Sequence, residues 1–445
     1  MGSAVERLTK LVEDKDRYDI PYADLLPMQI AAADERLKER VGVIKLLANR
    51  AETGGIKTVR DPADLVPLLF AHTTYKSYPE SWFTQGKWDR MGQWLDTVST
   101  YPVRGVDTKD IKDIDEWLER LEAAGYYVSC SSGTTGKCSM IPAGMADRTF
   151  GQRNHVAITQ WMSGIQRGAG YKFIGMTPIA KSVRARDGRT ALFGAFGSSD
   201  RPFTNESITV GQVSQMVALR RKIGDGTARP AEIAAFEATS AAREKMIEAA
   251  LVSTAEAIVE SRSEKMFFMG MFATMFRIAE MIRNMGYSAK DFHPENALLS
   301  AGGLKGAVLP ADYRERIFET LNIQPQRVCQ SYGMQELNGN MPRCAAGRYH
   351  VPPWNILLLL DQTGDQLIRP GSGEIEGRAG FFDLSLDGRW CGVISGDKIK
   401  VDYGKCACGH QGPTVNNDIV RYSELPDGDK IACSGTIDAY IRGAA

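Results

Sequence analysis

"YYVSCSSGTTGKCSMIPAG", residues Tyr126 to Gly144, places a run of Ser, Thr and Gly directly after a strand-like apolar stretch and ends the run on one lysine. Tyr126, Tyr127 and Val128 are aromatic or β-branched and read as strand. The segment Ser131 to Lys137 then offers what a polyphosphate needs. Glycines let the backbone approach closely, hydroxyls and N–H groups donate to phosphate oxygens, and an ammonium balances charge. A Walker loop needs four residues between its first glycine and its Gly-Lys pair, followed by Ser or Thr. Here only Thr134 and Thr135 separate Gly133 from Gly136, and Cys138 follows Lys137, so an ordinary P-loop NTPase is excluded. Taken alone, a polar surface loop is an equal reading.

The rest of the chain narrows the setting. Its 445 residues suffice for two or three domains, or for one large domain with subdomains. With 43% hydrophobic and 24% charged residues the composition is that of a globular protein. Lys plus Arg and Asp plus Glu both total 54, so no net field favours nucleic acid or an anionic membrane. The most apolar stretch, Met266 to Phe276, is too short to span a bilayer. No charged segment precedes an apolar signal core, and Glu6 stands where a myristoylation signal has Ser or Thr. Eight irregularly spaced cysteines do not resemble a disulfide scaffold, and the expected location is the cytoplasm.

Along the chain, residues 1–125 read as a helical N-terminal region. Leu8, Leu11 and Val12 begin one amphipathic pattern, and Ile30, Ala33, Leu37 and Val41 continue another. The aromatics between Tyr75 and Trp94 read as a packed layer. "YKFIGMTP" (Tyr171 to Pro178) and "ALFGAFGS" (Ala191 to Ser198) both read as strand-turn elements that could admit a flat ligand. Pro230 opens a long helix toward Val259. "KMFFMGMFATMFRIAEMIRNMG" reads as a second, buried helix. Later segments turn to β character: "NILLLL", "GEIEG" and "CGVISGDKIKVD".

The opening loop becomes specific in company. Downstream come "AGGLKG" (Ala301 to Gly306), "QSYGMQE" (Gln330 to Glu336), "SGDKIKVD" (Ser395 to Asp402) and "SGTIDAYIRG" (Ser434 to Gly443). In this order and separation the set resembles the core motifs of the adenylate-forming superfamily: acyl-CoA ligases, luciferases and adenylation domains. Its tail is most similar to the phenylacetate–CoA ligase-like branch and the acyl-protein synthetases of bacterial luminescence. The resemblance covers about Tyr127 to Arg442.

That resemblance implies an α/β fold, with a large domain of two helix-flanked sheets and a distorted β-barrel. Residues 126–435 would be the adenylate-forming core and 436–445 a hinge-like end. Only Ala444 and Ala445 follow Gly443, so the family's C-terminal lid is expected to be absent or vestigial. Ser132, Gly133, Thr134, Thr135, Gly136 and Lys137 would hold the β- and γ-phosphates of ATP. Tyr332 would stack on adenine, Gly333 would let backbone approach the nucleotide, and Asp397 would bind the ribose hydroxyls. Gly302 and Gly303 would line the junction of acyl group and adenine. Glu336 matches the magnesium ligand, a hard donor for a hard cation. Lys137, Glu336 and Arg442 are the candidate catalytic residues, Arg442 partly replacing the charge a lid would bring. Two departures stand out: Met334 and Gln335 replace the usual hydroxyl residue and its neighbour, and Thr436 replaces a hinge arginine.

"CAAGRYH" and "CACGH" supply Cys344, His350, Cys406 and Cys408, three sulfurs and a nitrogen that suit structural zinc. Some phenylacetate ligase-like enzymes are expected to carry such a site in these segments. His410 remains a competing nitrogen ligand.

The expected activity is ATP- and Mg2+-dependent conversion of a carboxylic acid to its acyl-adenylate. An aromatic acid is favoured because Phe193, Phe196 and Met269 lie in candidate pocket segments. The acyl group would pass to an amine, hydroxyl or thiol, on a small molecule or a carrier, rather than to CoA. An acyl- or aryl-CoA ligase cut before its lid, and a non-catalytic nucleotide-binding protein on the same fold, are the alternatives. A zinc-dependent hydrolase would need an open metal position that four protein ligands close. Neither nucleic acid nor membrane is an expected partner, and a homodimer is left open.

Overall fold

The computed structural model describes residues 2–130, 137–199, 201–300, 307–429 and 431. They form two compact units. Among the described residues, the first unit holds those within Met1–Ser132, Lys137–Asn154 and Gly333–Ala445, and the second those within His155–Tyr332. No helix among them is long and apolar enough to cross a membrane.

In the second unit, strands Gly197–Ser198, Tyr171–Gly175, Met266–Gly270, Asn296–Ser300 and Ile323–Tyr332 lie parallel in that order. Successive side chains leave a strand on opposite faces. Ile174, Phe268 and Leu298 accordingly join Met275, Ile278 and Ile282 of helix Phe272–Asn284 in one core cluster. Their neighbours Phe173, Phe267 and Ala297 join Leu192 and Phe196 of helix Val183–Phe196 in another. Helices cover both faces of this sheet, which is why its strands are apolar without alternation.

That lack of alternation corrects two sequence readings. "KMFFMG" is not the start of a helix: Met266–Gly270 is a strand, and the helix begins at Phe272. A continuous apolar run fits a two-sided strand as well as a buried helix. The break falls at Gly270, where a Cβ would come 2.9 Å from the Met176 side chain. "ALFGAFGS" is not strand and turn either, but the last turns of helix Val183–Phe196 followed by the short strand Gly197–Ser198. Ser182 caps the start of that helix, its side chain accepting from Ala185 N. At its end, a Cβ on Gly197 would lie 1.8 Å from the Tyr171 carbonyl oxygen, so only glycine permits this strand pairing.

In the first unit, helices such as Ala4–Lys10, Tyr22–Arg40 and Trp88–Val98 pack apolar stripes inward. Leu8, Val12, Ala33 and Leu37 are buried, as are Tyr75, Tyr78, Trp88 and Trp94 of the aromatic layer. The same unit holds a seven-stranded sheet built on the antiparallel strands Asn355–Leu360, Ile375–Asp383 and Gly392–Asp402, and Gln29 of helix Tyr22–Arg40 donates to the Asn355 carbonyl. All six residues of Asn355–Leu360 are buried. Ile375–Asp383 occupies one edge of Gly392–Asp402. Short strands Phe70–Ala71, Val420–Arg421 and Thr414–Val415 share the other edge. Asp397, the expected ribose ligand, sits on this central strand.

Candidate functional site

The phosphate-loop candidate is framed by a hairpin, Tyr127–Cys130 against Met140–Ala143, in register from Tyr127↔Ala143 to Cys130↔Met140. Of its expected phosphate contacts, Lys137 is described. Ser132, Gly133, Thr134, Thr135 and Gly136 lie outside the described residues, as do Gly302, Gly303, Thr436 and Arg442. The Lys137 ammonium donates to the Tyr78 carbonyl and lies 4.5 Å from the centre of the Tyr78 ring. Tyr78 Oη in turn donates to the Cys138 carbonyl, at 2.8 Å. The sequence placed Tyr78 only in an apolar layer; burial does hold it there, against Trp94 at 5.1 Å. Its contacts to Lys137 and Cys138 carried no local signal.

Strand Ile323–Tyr332 ends on Tyr332, which is buried. At Gly333 a Cβ would meet Asn340 Oδ1 at 2.2 Å, so the glycine is required by the close approach of Asn340. The loop that carries Glu336 is held from beneath by three buried charged side chains. Arg389 Nη2 donates to the Glu336 carbonyl at 3.0 Å. Asp383 Oδ2 accepts from the backbone N–H of Asn338, at 2.8 Å, and of Gly339, at 3.2 Å. Asp147 Oδ1 accepts from Asn338 Nδ2 at 3.2 Å. Leu337 is fully buried between these contacts. None of the three charged residues was singled out from sequence.

Asp397 is 7% exposed, and its N–H donates to Ser395 Oγ at 2.9 Å. Arg421 faces it across the strand pair, Nε to Oδ1 3.7 Å. The fully buried Arg378 fixes the same corner. It donates to the carbonyls of Ser395 and Gln362 at 3.0 Å each, and to Asp429 Oδ1 at 2.8 Å.

The cysteine and histidine segments converge. The ligand atoms of Cys344, His350, Cys406 and Cys408 all lie within 4.8 Å of one another. Two tight turns present the sulfurs. In one, Gly347 N–H donates to the Cys344 carbonyl at 2.9 Å; in the other, Gly409 N–H donates to that of Cys406, also at 2.9 Å. Both glycines have positive φ, 81° and 100°. His350 is placed by the pairing of Tyr349–His350 with Thr414–Val415. Burial holds the His350 ring down at about 4, helped by the neighbouring His410 and Arg348, so its nitrogen lone pair is available near neutral pH. Burial also pushes the Cys408 thiol up to about 12, with Cys406 and Cys344 adding to the effect. Thiols packed this closely stay protonated near neutral pH unless a cation among them offsets their mutual repulsion. His410, the competing ligand, instead puts Nδ1 2.7 Å from Asp19 Oδ1.

Phe193, Phe196 and Met269 gather in one aromatic cluster of the second unit. Phe196 is fully buried, whereas Phe193 and Met269 are partly buried and pack against the cluster. Phe193 stands 4.8 Å from Phe173, ring centre to ring centre.

No protein-family model and no curated protein matches the sequence. Solved structures do match. An open conformation of 2-hydroxyisobutyryl-CoA ligase, in complex with 2-HIB-AMP and CoA, is 12% identical. It covers 92% of this chain and 72% of its own, with a TM-score of 0.55. Apo MatB from Rhodopseudomonas palustris is 13% identical and covers 95% of this chain and 79% of its own, with a TM-score of 0.40. At such identities a likeness speaks for fold, and the first of the two carries it: this chain has the α/β fold of the adenylate-forming enzymes.

Proposed function

We propose that this protein activates a carboxylic acid, aromatic by preference, as its acyl-adenylate at the expense of ATP. A carboxylate oxygen attacks the α-phosphorus, the bond from that phosphorus to the β-bridging oxygen breaks, and pyrophosphate leaves with the electron pair. Such a reaction is mostly positioning and charge neutralisation. Lys137 would bind the β- and γ-phosphates, Asp397 would accept from the ribose hydroxyls, and Tyr332 would stack on adenine. Glu336 would hold Mg2+, whose charge offsets that developing on the phosphates.

One observation supports the reading above all others. Arg389 donates both to Pro142, in the hairpin that follows Lys137, and to Glu336, so the lysine and the carboxylate belong to one braced framework. The strand that carries Asp397 starts three residues after Arg389. The preference for an aromatic acid rests on Phe193 and Met269, which are partly buried beside Phe173 and Phe267.

We assign Cys344, His350, Cys406 and Cys408 to one structural zinc ion. A tetrahedron with Zn–S of about 2.3 Å places its sulfurs about 3.8 Å apart. Cys344 and Cys406 have their sulfurs 3.9 Å apart, and Cys408 Sγ is 3.3 Å from His350 Nε2. Four protein ligands leave no open position, so the ion would staple two loops and take no part in the chemistry.

The test is ATP–pyrophosphate exchange across a panel of aryl and alkyl acids, with CoA, amines and thiols then offered as acceptors. Exchange that depends on an aryl acid supports the reading. Tight ATP binding with no exchange for any acid would instead favour a non-catalytic nucleotide-binding protein.

A further inference from the structure

Two loops must keep a fixed separation if one is to hold the phosphates of a nucleotide and the other its metal ion. The Lys137 hairpin and the Glu336 loop are distant in sequence, yet both end on the same buried pair of opposite charges, Arg389 and Asp147, 2% exposed each. Arg389 Nη1 donates to the Pro142 carbonyl at 2.8 Å, and Nη2 to the Glu336 carbonyl at 3.0 Å. Asp147 makes the complementary set with its two oxygens. Oδ2 accepts from Gly144 N–H at 2.7 Å, at the end of the hairpin. Oδ1 accepts from Asn338 Nδ2 at 3.2 Å, in the Glu336 loop.

The remaining contacts close the frame. Asp147 also accepts from the N–H groups of Asp387 and Gly388, at 2.8 and 2.7 Å, in the turn just before Arg389. Asp383 accepts from two further N–H groups of the Glu336 loop. Burial pushes the Asp147 carboxyl above its ordinary value, and Arg389 with the N–H groups of Gly144, Asp387 and Gly388 offsets only part of that rise. Four N–H donors, two on each oxygen, use both carboxylate oxygens as acceptors. A close-packed frame of this kind has no slack: at Gly388 a Cβ would come within 2.7 Å of the Ala143 backbone.

From this geometry we infer that Arg389 and Asp147 are positioning residues for nucleotide activation, setting the distance between the phosphate-binding hairpin and the metal-binding Glu336 loop. The inference rests on the adenylation reading for its catalytic consequence but not for its structural content. Planarity is what Arg389 contributes, since one guanidinium reaches both carbonyls at once. A lysine at the same place carries its three donors on one rotatable nitrogen and cannot reproduce the fixed two-nitrogen fork.

The test is a double-mutant cycle of Arg389→Lys and Glu336→Gln, read by pyrophosphate exchange as Mg2+ is titrated. Arg389→Lys is expected to raise the Mg2+ concentration for half-maximal rate about tenfold and to leave KM for the carboxylic acid nearly unchanged. In the Glu336→Gln background it should cost far less, because the group it positions is gone. Full multiplication of the two losses, or an unchanged Mg2+ requirement in folded Arg389→Lys, would overturn the inference. Hydrogen exchange at the amides of Gly144, Asn338 and Gly339 gives a readout independent of turnover. Arg389→Lys and Asp147→Asn should each speed exchange in both segments, and acceleration confined to one segment contradicts a shared brace. If the wild type shows no pyrophosphate exchange, the adenylation reading fails and the amide measurement alone decides the inference.

Discussion

Lys137 and Tyr78 are joined twice, the ammonium donating to the tyrosine's carbonyl and lying 4.5 Å from the centre of its ring. A lysine at the end of a glycine-rich loop has four rotatable bonds to restrain, and a buried aromatic face restrains them with little loss of charge. Tyr78→Leu keeps the backbone carbonyl and removes the face. A cation–π contact is worth about 0.5–2 kcal/mol, so exchange should fall roughly twofold to thirtyfold. Tyr78→Phe keeps the face and removes the bond to the Cys138 carbonyl, with a stability loss of about 1 kcal/mol in urea unfolding. Unchanged exchange in folded Tyr78→Leu would show that the ring does not position the lysine.

Zinc is expected at about one ion per chain in protein purified without chelator, counted by elemental analysis. Metal binding at such a site is folding free energy. Cys406→Ser should therefore lose the ion and melt at a lower temperature, and chelation of the wild type should lower its melting temperature in the same direction. His410→Ala should keep the ion, because His410 is turned toward Asp19. Protein that lacks zinc, or that melts identically with and without chelator, would refute the assignment.

Acid should weaken the first unit through Asp387. Burial pushes this carboxyl up, but the Tyr101 hydroxyl at 2.5 Å and Arg40 at 2.8 Å pull harder, and it lies below the usual carboxylate range. A depressed folded pKa gives stability that is present above the unfolded value and lost as pH falls through the folded one. The loss therefore falls below about pH 4, the unfolded aspartate value. Asp387→Asn should be less stable than the wild type near neutrality, and the gap should shrink as pH drops toward 3. A gap that stays constant across that range in thermal melts would remove Asp387 from the acid response.

Much of the fold and part of the site could be read from the chain because the signals are local. Helical spacing placed Leu8, Ala33 and Leu37 on buried faces, and "NILLLL" was strand because five consecutive apolar residues, Ile356 to Leu360, suit a strand buried on both faces. The cysteine segments were legible because three cysteines and a histidine are a metal-ligand set, and turns at Gly347 and Gly409 bring them together in the structure. What failed was periodicity where both faces are covered: Met266–Gly270 and the helix end at Phe196 carry no polar face to set a period. The brace beneath Glu336 was invisible for another reason. Asp147, Asp383 and Arg389 act through backbone atoms of residues far away in sequence, and a lone buried charge looks the same in the chain as a solvated one.

The central claim is tested most directly by acid-dependent ATP–pyrophosphate exchange in the wild type, Lys137→Ala and Glu336→Gln, each first shown to be folded by its melting curve. Loss of a phosphate or magnesium contact should remove on the order of 2–4 kcal/mol of transition-state stabilisation. The account predicts exchange in the wild type only when acid is present, and a fall of about thirtyfold to nearly a thousandfold in both variants. Near-normal exchange by both folded variants, or none from the wild type with any acid, would contradict it.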